Sequence, residues 1–380
     1  MSRESGIGKG ESVLLDATLA HLRALVAFDT RNPPRAIGTG GIFDYLSANL
    51  RGFDCTVVDH GAGAVSLHAV RGRPKLLFNV HLDTVPDSPQ WSADPFLLRV
   101  DNERAVGLGA CDIKGAAAAL LAAVQASDGD AALLFTTDEE ANDARCIAAF
   151  LKRLPMPDAA PPDVIVAEPT GCEAVLAHRG ISSVRLRFRG VAGHASAETT
   201  ASASALHEAV RWGSRALEHV ASQARERFGG LTGLRFNIGR IEGGIKANMI
   251  APEAELRFGF RPLPSMSFDA LHERFATLVD AGSLERYEET FRGPSLPAGD
   301  TADAEQRRLE ARDLADALGL PIGNAVDFWT EASLFSAAGL TAMVYGPGHI
   351  EQAHAADEWV ALDQLATAAA TYHRLMENAR

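Results

Sequence analysis

His81, Asp112, Glu140, Glu168 and His354 are two imidazoles and three carboxylates, and each stands in a short motif of its own. The motifs are His81-Leu82-Asp83-Thr84-Val85-Pro86, Gly109-Ala110-Cys111-Asp112-Ile113-Lys114-Gly115, Asp138-Glu139-Glu140, Glu168-Pro169-Thr170 and Ala353-His354. Zinc takes imidazole nitrogen and carboxylate oxygen at roughly 2.0–2.2 Å, and a catalytic site keeps one position for water. In two-metal sites the ions sit about 3.5–4 Å apart, a gap that one carboxylate can span with its two oxygens. Asp112 is the expected bridge. His81 and Glu168 would complete one metal, Glu140 and His354 the other. Asp83, two residues past His81, is expected to accept the imidazole's second N–H and so orient the ring. Glu139 is then the free carboxylate, able to take a proton from a water and pass it to a leaving amine. Two zinc ions, with cobalt as an alternative, would acidify that water and polarise a carbonyl. The chemistry this inventory supports is amide hydrolysis.

Each motif alone has a plainer reading. A histidine at a strand end is commonly a satisfied loop residue, and Glu139-Glu140 is equally a solvated helix start favoured by the helix dipole. Glu-Pro-Thr by itself is a turn. What carries the argument is their order on successive strand ends. The run Lys75-Leu76-Leu77-Phe78-Asn79-Val80 is nearly continuous and apolar, as a strand buried on both faces should be, and it delivers His81. Ala131 to Thr137 reads as a second buried strand ending on Asp138-Glu139-Glu140, and Val164 to Ala167 as a third leading into Glu168. Ligand sites of open α/β sheets collect at such C-terminal strand ends. Helices are expected at 13–27, 41–50, 116–125 and 143–154, with short strands near 56–58 and 64–67 and a proline-rich loop over 155–162.

After about Val175 the pattern changes. Ile181 to Arg189 alternates, with Val184, Leu186 and Phe188 set against Arg185, Arg187 and Arg189, so one face is wet. A long amphipathic helix at 203–225 follows, then alternating strands at 234–241 and 253–261, a helix at 268–279 and a strand near 287–290. That β-α-β-β-α-β order is ferredoxin-like. A helix at 305–318 and apolar segments near Ile322 and Met343 precede His354. The expected architecture is therefore an α/β catalytic domain with a mixed sheet flanked by helices, interrupted by a small α+β domain. The boundaries fall at 1–175, 176–291 and 292–380.

A chain of 380 residues with 47% hydrophobic and 22% charged residues suits a globular two-domain protein. The net charge of −13 argues against nucleic acid or an anionic membrane as partner. Cys55, Cys111, Cys146 and Cys172 are scattered and read as reduced thiols. The stretch Met1 to Glu11 lacks the apolar core of a signal peptide, and no run of roughly 18 apolar residues offers a membrane span. A cytoplasmic location is the expectation.

Taken together, H-L-D-T-V-P, G-x-x-D-I-K-G, D-E-E, E-P-T and the late A-H resemble the M20 metallopeptidase family of dinuclear zinc amidohydrolases, over about residues 13 to 375. Arg31-Asn32-Pro33-Pro34, Ala177-His178-Arg179-Gly180, Thr330-Glu331-Ala332 and Gly346-Pro347-Gly348 are similar to the branch that deacetylates N-acetylornithine. Asp327-Phe328-Trp329-Thr330-Glu331-Ala332-Ser333 and Gly244-Ile245-Lys246-Ala247-Asn248 resemble its variant directed to N-acetyl-L-citrulline, in arginine biosynthesis. The resemblance implies a homodimer formed through the inserted domain and removal of acetyl from an Nα-acetyl amino acid. It places the metal and base roles on the residues already named. It also implies that His194 reaches the partner subunit's active site to hydrogen-bond the developing oxyanion. Asn248 and Arg261 look like substrate-gripping positions, Arg261 holding an α-carboxylate or else forming a surface ion pair. Glu331 would recognise a cationic or ureido side chain, or serve as a structural carboxylate. A dipeptidase or carboxypeptidase is the alternative activity. The chain departs from the family pattern at His349, a competing imidazole, and Cys111 adjoins the bridge; His354 and Asp112 fit the motifs better.

Overall fold

The computed structural model describes residues 9–101, 103–141, 143–154, 163–199, 203–280 and 282–378. The proline-rich stretch at 155–162 and most of the polar N-terminal stretch lie outside these residues. Two compact units form, one from Met1–Leu176, Leu309–Gly323 and Thr330–Arg380, the other from Ala177–Arg308 and Asn324–Trp329.

The first unit is built on a six-stranded mixed sheet. Its strands are Asp54–Asp59 (β1), Val65–Arg71 (β2), Leu76–His81 (β3), Ala131–Thr136 (β6), Asp163–Val166 (β7) and Ala342–Val344 (β16), in the order β1-β2-β6-β3-β7-β16. β3 runs parallel to both β6 and β7, and every residue of β3 and β6 is buried. Such strands need the continuous apolar runs seen here, because helices cover both sheet faces. The helices of this unit are Lys9–Val26 (α1), Ile42–Asn49 (α2), Lys114–Ala126 (α3), Arg145–Leu151 (α4), the later part of Ala304–Ala317 (α7), Ala332–Ala337 (α8) and Leu362–Glu377 (α9). α3 is buried along nearly its whole length, with Ala116 to Ala119 fully enclosed. A helix apolar all round belongs inside, and alanine lets α1 and α9 pack closely against it. A small second sheet, absent from the sequence reading, joins Arg99–Val100 (β4), Arg104–Val106 (β5) and Trp359–Ala361 (β17) in the order β17-β5-β4.

The second unit contains Ile181–Arg189 (β8), Gly193–His194 (β9), Ala205–Ser222 (α5), Arg227–Phe228 (β10), Leu231–Thr232 (β11), Arg235–Gly243 (β12), Met249–Ile250 (β13), Glu253–Arg261 (β14), Phe268–Ala276 (α6) and Leu284–Gly293 (β15). The main sheet is antiparallel in the order β12-β14-β8-β15. That is second, third, first, fourth of its strands, the ferredoxin-like arrangement. Val184, Leu186 and Phe188 face inward onto Trp212 of α5, whose ring lies 4.7 Å from that of Phe258.

Two expectations shift. Residues 292–308 and 324–329 cluster with the second unit, not the first. Leu296 and His178 exchange both main-chain hydrogen bonds (3.0 and 3.1 Å), and the Val326 N–H donates to the Ala177 carbonyl, so tertiary pairing outweighs chain order. The helix expected at 143–154 is trimmed to α4.

Candidate metal centre

β6, β3 and β7 are parallel neighbours, so their C-terminal ends open on one edge of the sheet. His81 is the last residue of β3, in register with Thr136 of β6. Asp138-Glu139-Glu140 continues β6 on one side, and Glu168 lies two residues beyond β7 on the other. The turn before α3 carries Asp112, and the segment after the short 3-10 turn Ile350–Gln352 carries His354.

These elements assemble two donor sets, His81–Asp112–Glu168 and Asp112–Glu140–His354, whose ligating atoms lie within 4.8 Å of one another in each set. Asp112 belongs to both. Its Oδ1 is 3.0 Å from His81 Nε2 and its Oδ2 is 3.2 Å from His354 Nε2. His354 Nε2 is 2.9 Å from Glu140 Oε1, and His81 Nε2 is 3.8 Å from Glu168 Oε1. Glu168 Oε1 is buried with no hydrogen-bond partner among the described residues. An orphaned carboxylate oxygen beside an imidazole fits a cation, since a buried charge is otherwise costly. The donors are nitrogen and oxygen only, a set that suits zinc and other divalent transition ions.

The electrostatics point the same way. Burial pushes the Glu139 and Glu168 carboxyls well above the carboxylate range, with neighbouring carboxylates adding to the effect, and raises Glu140 too. Asp112 goes down, because hydrogen bonds with His354 and His81 overcome its burial. His354 rises to about 11 through its bonds to Asp112 and Glu140. Burial works against a charged His81, yet its contacts with Asp112 and Asp83 raise it. Without a cation, protons on these groups neutralise the crowded carboxylates. A divalent ion would take over that task and invert the local titration.

The expected orienting role of Asp83 is divided differently. His81 Nδ1 lies 3.0 Å from the Asp83 main-chain oxygen, whereas the carboxylate Oδ1 is 3.5 Å away. The carboxylate Oδ2 instead accepts from Asn32 Nδ2 (2.9 Å) and the Glu140 main-chain N–H (3.0 Å). Asp83 thus orients the ring through its carbonyl and holds the Glu140 backbone through its side chain. Glu139, beside Glu140 at the end of the same strand, is in neither donor set.

Glu331 lies away from solvent. It is fully buried, Oε2 accepts from the Thr136 hydroxyl at 2.9 Å, and burial lifts its carboxyl to about 8. Its other oxygen, Oε1, is buried with no hydrogen-bond partner among the described residues. His349 is engaged with Gln364 (2.9 Å) and is in neither donor set. Cys111 Sγ donates to the His349 carbonyl at 3.4 Å, and burial pushes its thiol up, so it packs. Two residues of the site went unread in the sequence. Asn32 stands only inside the motif Arg31-Asn32-Pro33-Pro34, and Glu358, four residues after His354, falls in no motif.

In the second unit, β9 pairs with β13, placing His194 opposite Met249, and the Ala195 N–H donates to the Asn248 carbonyl. His194 and Asn248 therefore share one two-stranded ribbon. His194 is exposed, and its Nδ1 lies 2.7 Å from the Ser196 hydroxyl and 3.3 Å from the Ser196 main-chain nitrogen. Arg261 lines a cleft of about 260 Å³ with Arg235, Asn237 and Ser183.

The fold and donor sets are those of a metallohydrolase, and the family follows from comparison. A model of peptidase family M20/M25/M40 matches residues 77–378, and the chain belongs to that family. It is 70% identical over 353 residues to the N-acetyl-L-citrulline deacetylase of Xanthomonas campestris pv. campestris, covering 93% of this chain and 95% of the relative. It is 29% identical over 323 residues to the acetylornithine deacetylase of Proteus mirabilis, covering 81% and 80%. Among solved structures, aminopeptidase PepT of Bacillus cereus shares the fold, with a TM-score of 0.71 at 18% identity over 96% of this chain and 98% of that one.

Proposed function

We propose that this chain is a two-metal amidohydrolase that removes acetyl from the α-nitrogen of N-acetyl-L-citrulline, with N-acetyl-L-ornithine the next candidate, as a step of arginine biosynthesis. The observation that carries the chemistry is Asp112, whose two carboxylate oxygens face two separate imidazoles. The 70% identity to a named citrulline-directed deacetylase supports the substrate.

Two divalent ions, zinc in this reading and cobalt as a substitute, would be held by His81, Glu168, Asp112, Glu140 and His354 and would supply carbonyl polarisation and water acidification. The chain's own residues do the rest. Glu139 accepts the water proton and returns it to the departing amine. His194, exposed on the ribbon it shares with Asn248, would hydrogen-bond the oxyanion in the partner subunit's site. Arg261 offers a guanidinium to an α-carboxylate. A homodimer through the second unit is part of this reading. α5 leaves Val210 and Leu217 62% and 56% exposed, one heptad apart on one face, and β12 is an edge strand with Ile241 exposed. Among the described residues no helix is long and apolar enough to cross a membrane, and we place the enzyme in the cytoplasm.

The test is kcat/KM of the zinc- or cobalt-loaded protein on the two acetyl amino acids side by side. A preference of about 100-fold for the citrulline substrate, about 2.7 kcal/mol, is expected. The reverse preference makes it an acetylornithine deacetylase. Activity on dipeptides exceeding both would favour the peptidase alternative.

A further inference from the structure

Glu358 is 2% exposed and lies just before β17, four residues after His354. Its carboxylate is spent on one turn of the chain. Oε2 accepts the Gly109 N–H at 2.9 Å, and Oε1 accepts the N–H groups of Cys111 and Asp112, each at 2.9 Å. Its main-chain carbonyl accepts the Gly107 N–H at 3.0 Å. Four N–H groups from residues 107–112 thus converge on a single residue. Converging main-chain N–H groups form a concavity that suits an anion, and here the anion is built into the chain. Gly109 takes φ +77° to make this turn.

The residue so clamped is Asp112, whose two oxygens must address His81 and His354 at once. The clamp comes from the segment that carries His354. We propose that Glu358 is a positioning residue that sets the bridging orientation of Asp112 relative to His354, and so controls the paired occupation of the two cation positions. This rests on the two-metal reading above. The geometry makes the effect specific: loosening the Asp112 backbone need not disturb Glu168 or Glu140, but it turns one carboxylate oxygen away from its imidazole. The donor set that includes His354, Asp112–Glu140–His354, should suffer most.

Glu358→Gln replaces one acceptor oxygen with a donor, so at least one of the three N–H groups loses its partner. The metal-free wild type and variant are titrated with Co²⁺ by calorimetry, and the spectrum of each loaded form is recorded for coupling between the two ions through a shared carboxylate. The wild type is expected to bind two ions with a coupled spectrum. Glu358→Gln is expected to bind one ion nearly normally and the second about 10–100-fold more weakly, with the coupling reduced. Glu358→Asp keeps the charge and should recover part of both, and it stands in if the glutamine variant does not fold. Two coupled ions with wild-type affinity in whichever variant folds would overturn the inference. Equal weakening of both ions together with a lowered metal-free melting temperature would assign Glu358 to general stability, and also overturns it. A wild type that binds fewer than two ions would instead sink the two-metal reading itself.

Discussion

At the scale of single residues, the proposed chemistry assigns holding to Asp112 and reacting to Glu139. Asp112 is shared by both donor sets, while Glu139 belongs to neither and is crowded by carboxylates. A substitution should separate the two roles. Glu139→Gln is expected to keep both metals, measured by elemental analysis, and to lower kcat by about 10²–10⁴-fold. Retained turnover would move the base elsewhere; lost metal would make Glu139 a ligand. Asp83 gives a second lesson at this scale. Its sequence position two beyond His81 announced a partner for the imidazole, but main chain and carboxylate have exchanged tasks.

At the scale of elements, three parallel strand ends, one tight turn and the segment after the Ile350–Gln352 turn bring the donors together. β3 stands between β6 and β7, so His81 lies between the Asp138-Glu139-Glu140 segment and Glu168. The turn that presents Asp112 depends on Gly109. At φ +77° an added Cβ would meet Thr84 Cγ2 at 2.6 Å and Lys114 Cδ at 3.1 Å. Gly109→Ala is therefore expected to cost about 1–3 kcal/mol, read from urea unfolding of the metal-free protein. An unchanged unfolding midpoint would mean that the turn relaxes without loss.

For the molecule as a whole, the site makes stability depend on pH and metal together. In the cation-free protein His354, His81, Glu139, Glu168 and Glu331 all hold protons more tightly when folded than when unfolded. For such groups the stabilisation is complete below the unfolded pKa and is lost as pH climbs to the folded one. Lys114, lowered to about 7 by burial, runs the opposite way but is a single group. The metal-free melting temperature is thus expected to fall from pH 7 to pH 9. The gap between metal-loaded and metal-free protein should widen over the same range, because ligands that have lost their protons bind cations better. Calorimetric melts at pH 7, 8 and 9, with and without zinc, read both trends; a metal-free melting temperature that rises would contradict this account of the site.

The buried strands, the alternating strands of the second unit and the members of the two donor sets were legible in the sequence. Periodicity and residue type are local properties, and the order of motifs along a parallel sheet dictates which ends share an edge. The short β4-β5-β17 sheet was not legible, because two- and three-residue strands carry too little pattern. The return of 292–308 and 324–329 to the second unit was equally hidden, being a matter of long-range main-chain pairing. So were the three N–H groups on Glu358 and the burial of Glu331. The sequence by itself determined which atoms can bind a cation or move a proton. Only the tertiary structure decided which of them face one another, since an orientation good to a few tenths of an ångström comes from contacts between segments as far apart as Asp112 and Glu358.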